Sequence, residues 1–111
     1  MLIDTKLCFL GCGNMGEALV SGLVQSGSAR PENIICTDIR EERLQELSAR
    51  YGVRTTPRNV EAVQQSQVVI YAVKPQLMAE VLKETAGELD MSKLIISIAA
   101  GVPLRAIESL L

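Results

Sequence analysis

The run Gly11-Cys12-Gly13-Asn14-Met15-Gly16 constrains this chain more than any other six residues, because of what stands on either side of it. Leu7 to Leu10 is a short apolar stretch halted by Gly11, the pattern of a strand buried on both faces. Beyond Asn14, the residues Met15, Ala18, Leu19 and Leu23 recur at intervals of three and four, which predicts a helix packing this stripe on a sheet and closing near Gly27. A glycine turn between a strand and a helix leaves unpaired amides at the helix start, and the helix dipole makes them attractive to phosphate. There Gly11 permits the tight turn, Gly13 lets a pyrophosphate approach the backbone, and Gly16 lets the helix lie against the strand. Asp38, 22 positions after Gly16 at the end of a second apolar run, completes the dinucleotide-binding fingerprint.

The remainder of the chain repeats the alternation. Asn33 to Thr37 predicts a second strand, and Leu44, Leu47 and Tyr51 mark a helix stopped at Gly52. A short strand near Val53 to Thr55 precedes a helical stretch, Val60 to Gln65, that Asn59 is placed to cap. Val68 to Val73 predicts a fourth strand, and Lys74 and Pro75 open a helix bearing Leu77, Met78, Val81 and Leu82. Leu94 to Ile98 predicts a fifth strand, and Leu104, Ile107 and Leu111 begin one more helix. Four strands read as continuously apolar, so the expectation is an α/β fold: a Rossmann-type, doubly wound parallel sheet covered on both faces. Right-handed crossovers give the strand order 3-2-1-4-5, with a ligand crevice at the carboxyl ends of strands 1 and 4. With 111 residues, one domain spanning 1–111 is expected.

Composition removes several function classes. A net charge of −2 with interspersed signs gives no basic face for nucleic acid. No apolar run approaches the length needed to span a bilayer, and the N-terminus lacks the pattern of a secretory leader. The absence of histidine and of any CxxC pair argues against a metal site, and Cys8, Cys12 and Cys36 read as reduced thiols of a cytoplasmic protein.

Several side chains carry alternatives. Cys12, inside the turn, reads as a position that presents only its backbone, with a reactive thiol as the other possibility. Gly22 reads as a mark of close helix packing. Asp38 would accept from ribose hydroxyls and repel a 2′-phosphate, whereas Arg40 and Arg43 could clamp one or remain solvated, so NADPH and NADH both stand. Lys74, a cation at a helix start, suggests a cofactor contact or a solvent-pointing side chain, and Asn59 a cap, an adenosine contact or both.

The turn GCGNMG, together with Thr56-Pro57-Arg58-Asn59, Ala72-Val73-Lys74-Pro75 and Ser97-Ile98-Ala99-Ala100-Gly101, resembles the N-terminal half of pyrroline-5-carboxylate reductase over essentially the whole chain. The resemblance implies an oxidoreductase of proline biosynthesis that reduces 1-pyrroline-5-carboxylate with NADPH or NADH. It implies cofactor contacts from Gly11, Cys12, Gly13, Asn14, Met15, Gly16, Asn59, Ala72, Val73, Lys74, Pro75, Ala99, Ala100 and Gly101; Leu10, Asp38 and Arg40 join them from the reading of the fingerprint, and Asp38 departs from the family's pattern, standing where NADPH-preferring relatives would carry a hydroxyl or basic residue. The family's C-terminal helical domain, which builds the homo-oligomer and completes the substrate pocket, has no counterpart here, so no catalytic residue is assigned and the chain alone is expected to bind cofactor without turnover. A stand-alone dinucleotide-binding module, or the first domain of a related hydroxy or keto acid reductase, are the competing readings.

Overall fold

The computed structural model describes residues 3–98. Strands β1 (Leu7–Leu10), β2 (Ile34–Thr37), β3 (Arg54–Thr56), β4 (Val68–Tyr71) and β5 (Leu94–Ser97) alternate with helices α1 (Asn14–Gln25), α2 (Glu41–Tyr51), α3 (Asn59–Gln64) and α4 (Pro75–Thr85). All pairings are parallel and the order is β3-β2-β1-β4-β5, as the alternation of elements required. The helix expected around Leu104, Ile107 and Leu111 lies outside the described residues, as do Ala99, Ala100 and Gly101.

Side-chain alternation along the strands builds two cores. Leu7, Phe9, Ile34, Cys36, Val68 and Ile70 point to one face, where Val20 of α1 and Leu47 of α2 cover them. Cys8, Leu10, Ile35, Val69 and Tyr71 point to the other, under Ala62 and Val63 of α3 and Met78 and Leu82 of α4. Each of β1, β2 and β4 is therefore buried along its whole length, and no residue of these strands can turn polar without a partner. Gly52 ends α2 in the left-handed conformation (φ 74°), donating its amide to the Ser48 carbonyl.

Four expectations are corrected. The stripe of α1 that meets the sheet is Gly16, Val20, Leu23 and Val24, while Met15 is 60 % and Leu19 41 % exposed and Ala18 also faces out. The cause is Gly16: a Cβ there would lie 3.1 Å from Cys12 Sγ and 3.3 Å from Ala72 Cβ, so the helix makes its closest approach on that side. Gly22 is exposed and a Cβ on it would meet nothing within 4 Å, so it does not mark close packing. Asn59 does not cap α3 from outside: Arg58 is the capping position, no side chain caps it, and Asn59 is the first helical residue. Finally β5, though apolar, is among the described residues covered mainly on one face, with Ile95 packed on the α4 side and Leu94 and Ile96 exposed.

Candidate functional site

The turn after β1 reverses the chain at Gly11, whose φ of 69° disfavours any residue with a Cβ. Added there, a Cβ would also sit 2.2 Å from Val73 Cγ1. Gly13 differs: its backbone is extended, and a Cβ would meet only the Gly11 carbonyl oxygen, at 4.0 Å. No side chain caps α1, which leaves its first amides open above Gly13, with Glu17 as the acidic residue of the first turn. A hollow of about 360 Å³ opens over the turn, at the carboxyl ends of β1 and β4. Gly11, Gly13, Ala72, Val73 and Lys74 form its floor and one wall; Thr37, Asp38, Ile39, Arg40, Pro57 and Asn59 form the other.

The backbone of the turn is held by side chains from two other elements, β2 and α2, and one of these is backed by a relay from α3 and α4. Thr37, buried at the end of β2, accepts the Gly11 amide on Oγ1 at 3.0 Å, and its carbonyl accepts the Cys12 amide at 2.9 Å. Thr37 Oγ1 donates in turn to Asn59 Oδ1 at 2.5 Å, and Asn59 Nδ2 donates to Glu84 Oε1 of α4 at 2.8 Å. From α2, Arg43 donates through Nε to the Cys12 carbonyl at 3.2 Å, and its Nη1 lies 2.7 Å from Glu17 Oε1 and 2.8 Å from Glu46 Oε1. Glu17 also accepts from Tyr51 Oη at 2.5 Å and from Arg50 at 2.7 Å, and these bonds, Tyr51 foremost, hold its carboxyl below the usual carboxylate range. Arg43, its side chain 11 % exposed and its Nη2 without a partner among the described residues, is thus a strut between α2 and the turn rather than a solvated group.

The predicted residues divide into three groups. Gly11, Gly13, Asp38, Arg40, Asn59, Ala72, Val73 and Lys74 converge on the hollow. Asn14 lies beside it, lining with Arg40, Glu42, Arg43 and Glu46 a second depression of about 260 Å³. Leu10 and Cys12 are fully buried and Gly16 sits under the helix, so of these only backbone can face a ligand near the turn, whereas Met15 is exposed and Pro75, also exposed, opens α4 as its first residue. Cys12 shares a side-chain hydrogen bond with Cys36, and that contact together with burial keeps Cys36 a thiol; burial likewise pushes Cys8 up to about 11. All three cysteines are free and buried; the contact with Cys36 outweighs burial and holds the Cys12 thiol below its usual value, so burial alone withholds Cys12 from reaction. Among the described residues no group of side chains could hold a metal ion, and no helix is long and apolar enough to cross a membrane.

Reasoning from sequence missed Thr37, Ile39, Pro57, Leu77, Val81 and Glu84. Ile39 is 94 % exposed on the rim of the hollow, an isoleucine with nothing over it. Thr37 carried a readable signal, a polar residue closing an otherwise apolar strand, whereas Glu84 is one of several acidic residues on an exposed helix face and carried none.

Comparison with known proteins places this geometry. A pyrroline-5-carboxylate reductase from Methanosarcina acetivorans is 43 % identical over 108 residues, covering 97 % of this chain and 40 % of the relative. The structure of a pyrroline-5-carboxylate reductase from Coxiella burnetii superposes with a TM-score of 0.90 at 33 % identity, covering 96 % of this chain and 40 % of that one. The Plasmodium falciparum pyrroline carboxylate reductase with NADP bound gives a TM-score of 0.85 at 26 % identity, over 99 % of this chain and 39 % of that one. This chain spans about 40 % of the length of the curated relatives it matches, and the resemblance to the N-terminal part of pyrroline-5-carboxylate reductases is borne out. With a family profile matching residues 6–101, nearly the whole of the described fold, the chain belongs to the family described as NADP oxidoreductase, coenzyme F420-dependent.

Proposed function

We propose that this chain is a single nicotinamide-dinucleotide-binding domain, residues 1–111, of a pyrroline-5-carboxylate reductase, with NADPH or NADH as its cofactor. The observation that carries the reading is the uncovered Gly13: the turn is fixed from below by Thr37 and Arg43 and left bare above, where a phosphate needs backbone amides without side chains. The hollow has a chemistry for each part of such a ligand. The amides opening α1 would take the pyrophosphate; Asp38 and Arg40, at the end of β2, would meet the adenosine ribose; the bare surface of Ile39 and Pro57 would accept the adenine. Ala72 and Val73 leave room on the β4 side for a flat ring, and Lys74, exposed and beside it, supplies a cation there. Ala99, Ala100 and Gly101 are proposed as further cofactor contacts.

When bound, the reduced nicotinamide would supply a hydride to the imine carbon of 1-pyrroline-5-carboxylate protonated on its ring nitrogen, giving proline and the oxidised coenzyme. The residues of this chain contribute by binding and orienting, since the hollow contains no histidine and no paired carboxylates suited to proton transfer. Substrate binding and a homo-oligomeric state would belong to the longer protein. Three free, buried cysteines accord with a cytoplasmic setting, without membrane or nucleic-acid partners.

Calorimetric titration of the purified chain with NADPH and with NADH tests the reading. Saturable one-to-one binding supports it, and no binding of either at millimolar concentration removes it. Steady NADPH oxidation by the 111-residue chain with pyrroline-5-carboxylate would show instead that the chain is a complete catalyst.

A further inference from the structure

A planar trans peptide sends its carbonyl and its N–H in opposite directions, so holding one end of the unit aims the other. The peptides of the glycine turn are all trans, and each is held differently. The unit joining Leu10 to Gly11 is held at both ends, its carbonyl accepting the Ala72 amide at 2.9 Å and its N–H donating to Thr37 Oγ1 at 3.0 Å. The next, joining Gly11 to Cys12, is held at its N–H, which donates to the Thr37 carbonyl at 2.9 Å. In the unit joining Cys12 to Gly13, the carbonyl accepts from Arg43 Nε at 3.2 Å, and the Gly13 N–H has no acceptor among the described residues. Its orientation therefore rests on one side chain.

Arg43 comes to the turn from α2, so a trans unit whose carbonyl it holds turns the Gly13 N–H away from that helix. Gly13 lines the hollow and Arg43 does not, so any effect of Arg43 on a ligand seated over Gly13 passes through this peptide. The guanidinium is a rigid planar fork, and with Nη1 pinned between Glu17 and Glu46 its Nε has little freedom of direction. Nη2 is left buried without a partner. An unpaired buried donor costs stability, and the placement that leaves Nη2 unpaired is the one that brings Nε onto the Cys12 carbonyl. A cation bonded to a carbonyl also polarises the peptide, which makes its N–H a stronger donor.

We propose that Arg43 is a positioning residue for the coenzyme diphosphate: bonded to the Cys12 carbonyl from α2, it aims and polarises the Gly13 N–H that meets the phosphate. This rests on the dinucleotide reading above and adds to it a side chain that never touches the ligand. The turn is common to both coenzymes, so loss of Arg43 weakens NADPH and NADH by the same factor. Calorimetry with each coenzyme on the 111-residue chain, on Arg43→Lys and on Arg43→Met tests it, together with backbone NMR of the same isotopically labelled chains. Arg43→Lys keeps a cation for Glu17 and Glu46 and has no Nε, so the ion pairs that join α1 to α2 persist while the carbonyl loses its donor. Both affinities fall by about tenfold in Arg43→Lys, with their ratio unchanged. Arg43→Met loses more. In Arg43→Lys the resonances of the Cys12 carbonyl and the Gly13 amide move, while the Gly11 amide, held by Thr37, stays in place.

Parent-like affinity for both coenzymes in Arg43→Lys overturns the proposal. So does a loss confined to NADPH, which would make Arg43 a direct reader of phosphate rather than a support for the turn. Equal movement of the Gly11 and Gly13 amides overturns it as well, since the whole turn would then have given way and no single peptide would have been re-aimed. Each of these results leaves the dinucleotide reading intact, whereas binding of neither coenzyme by the unsubstituted chain removes both.

Discussion

Around the ends of β1 and β2, nearly every polar side chain is bonded to backbone or to another side chain; around the end of β4, among the described residues, the small side chain of Ala72 and the exposed Lys74 face an open hollow. On the first side Thr37, Asn59 and Glu84 form a relay that ends on the Gly11 amide, and Arg43 reaches the Cys12 carbonyl from α2. On the second, Ala72 is tied only through its backbone, to the Leu10 carbonyl, and Lys74 is exposed with no carboxylate engaging it among the described residues. Leu94 and Ile96 of β5 are bare, whereas β1, β2 and β4 are buried throughout. The difference teaches where rigidity is needed. A phosphate site made of amides works only if the amides are fixed before the ligand arrives, while a flat ring needs room.

The comparison breaks most visibly at Gly11. Gly11→Ala forces a Cβ onto a positive φ and onto Val73 Cγ1 at 2.2 Å, joining the two sides by a clash. Urea unfolding should show a loss of about 3 kcal/mol or more, and coenzyme binding should vanish with the turn. Gly13→Ala separates site from fold. Its Cβ meets nothing closer than 4.0 Å and its backbone is extended, so stability should stay within about 0.5 kcal/mol of the parent. Coenzyme affinity should nonetheless fall by about ten- to a hundredfold, because a methyl occupies the phosphate's place. Equal affinity in Gly13→Ala would mean that the bare turn is only a connector.

This division also governs how much was legible from sequence. The strand order and the glycine turn follow from local signals: apolar runs of four, punctuating glycines and alternation with helices. The supports of the turn do not, because Thr37 is 26 residues from Gly11 and Glu84 is 25 from Asn59, and nothing local pairs them. Of the two readings of Asn59, the cap fails although asparagine before a helix obeys a local rule, because the buried Thr37 hydroxyl and the Glu84 carboxylate offer it better partners. The wrong face of α1 has a similar origin. Both its faces carry apolar residues, and only the tertiary contact of Gly16 with Cys12 and Ala72 decides which is buried.

Smaller effects sharpen the contrast. Thr37→Val leaves the Gly11 amide without its acceptor and should lower stability by about 1–3 kcal/mol, with coenzyme affinity reduced several-fold and both restored by Thr37→Ser. Acid should act on the same side. Glu17 has a depressed folded-state pKa, held down by Tyr51, Arg43 and Arg50, so its contribution is present above the unfolded value of 4.5 and is lost as pH falls through the folded one. Stability measured against pH should therefore differ between the parent and Glu17→Gln at neutrality and converge in acid. Asp90→Asn is the control from the far side. Asp90, also depressed but fully exposed, with its carboxylate bonded to Ser92, should leave the acid limb almost unchanged.

The smallest expected change has the opposite sign, and it lies on the helix that begins at the turn. Gly22 sits inside α1, its carbonyl accepting the Ser26 amide, and space around a Cβ there is empty. Glycine in such a position lowers helix stability for want of backbone restraint in the unfolded chain, and no contact compensates. Gly22→Ala should raise stability by about 0.5–1 kcal/mol in urea unfolding and leave coenzyme affinity unchanged. The two glycines of one helix, Gly16 and Gly22, then separate cleanly. A Cβ at Gly16 must displace Cys12 or Ala72, so that glycine answers to the packing under the site, and Gly22 answers to nothing but the helix. A destabilised Gly22→Ala would instead show that this face of α1 is covered in solution by something that requires the close approach.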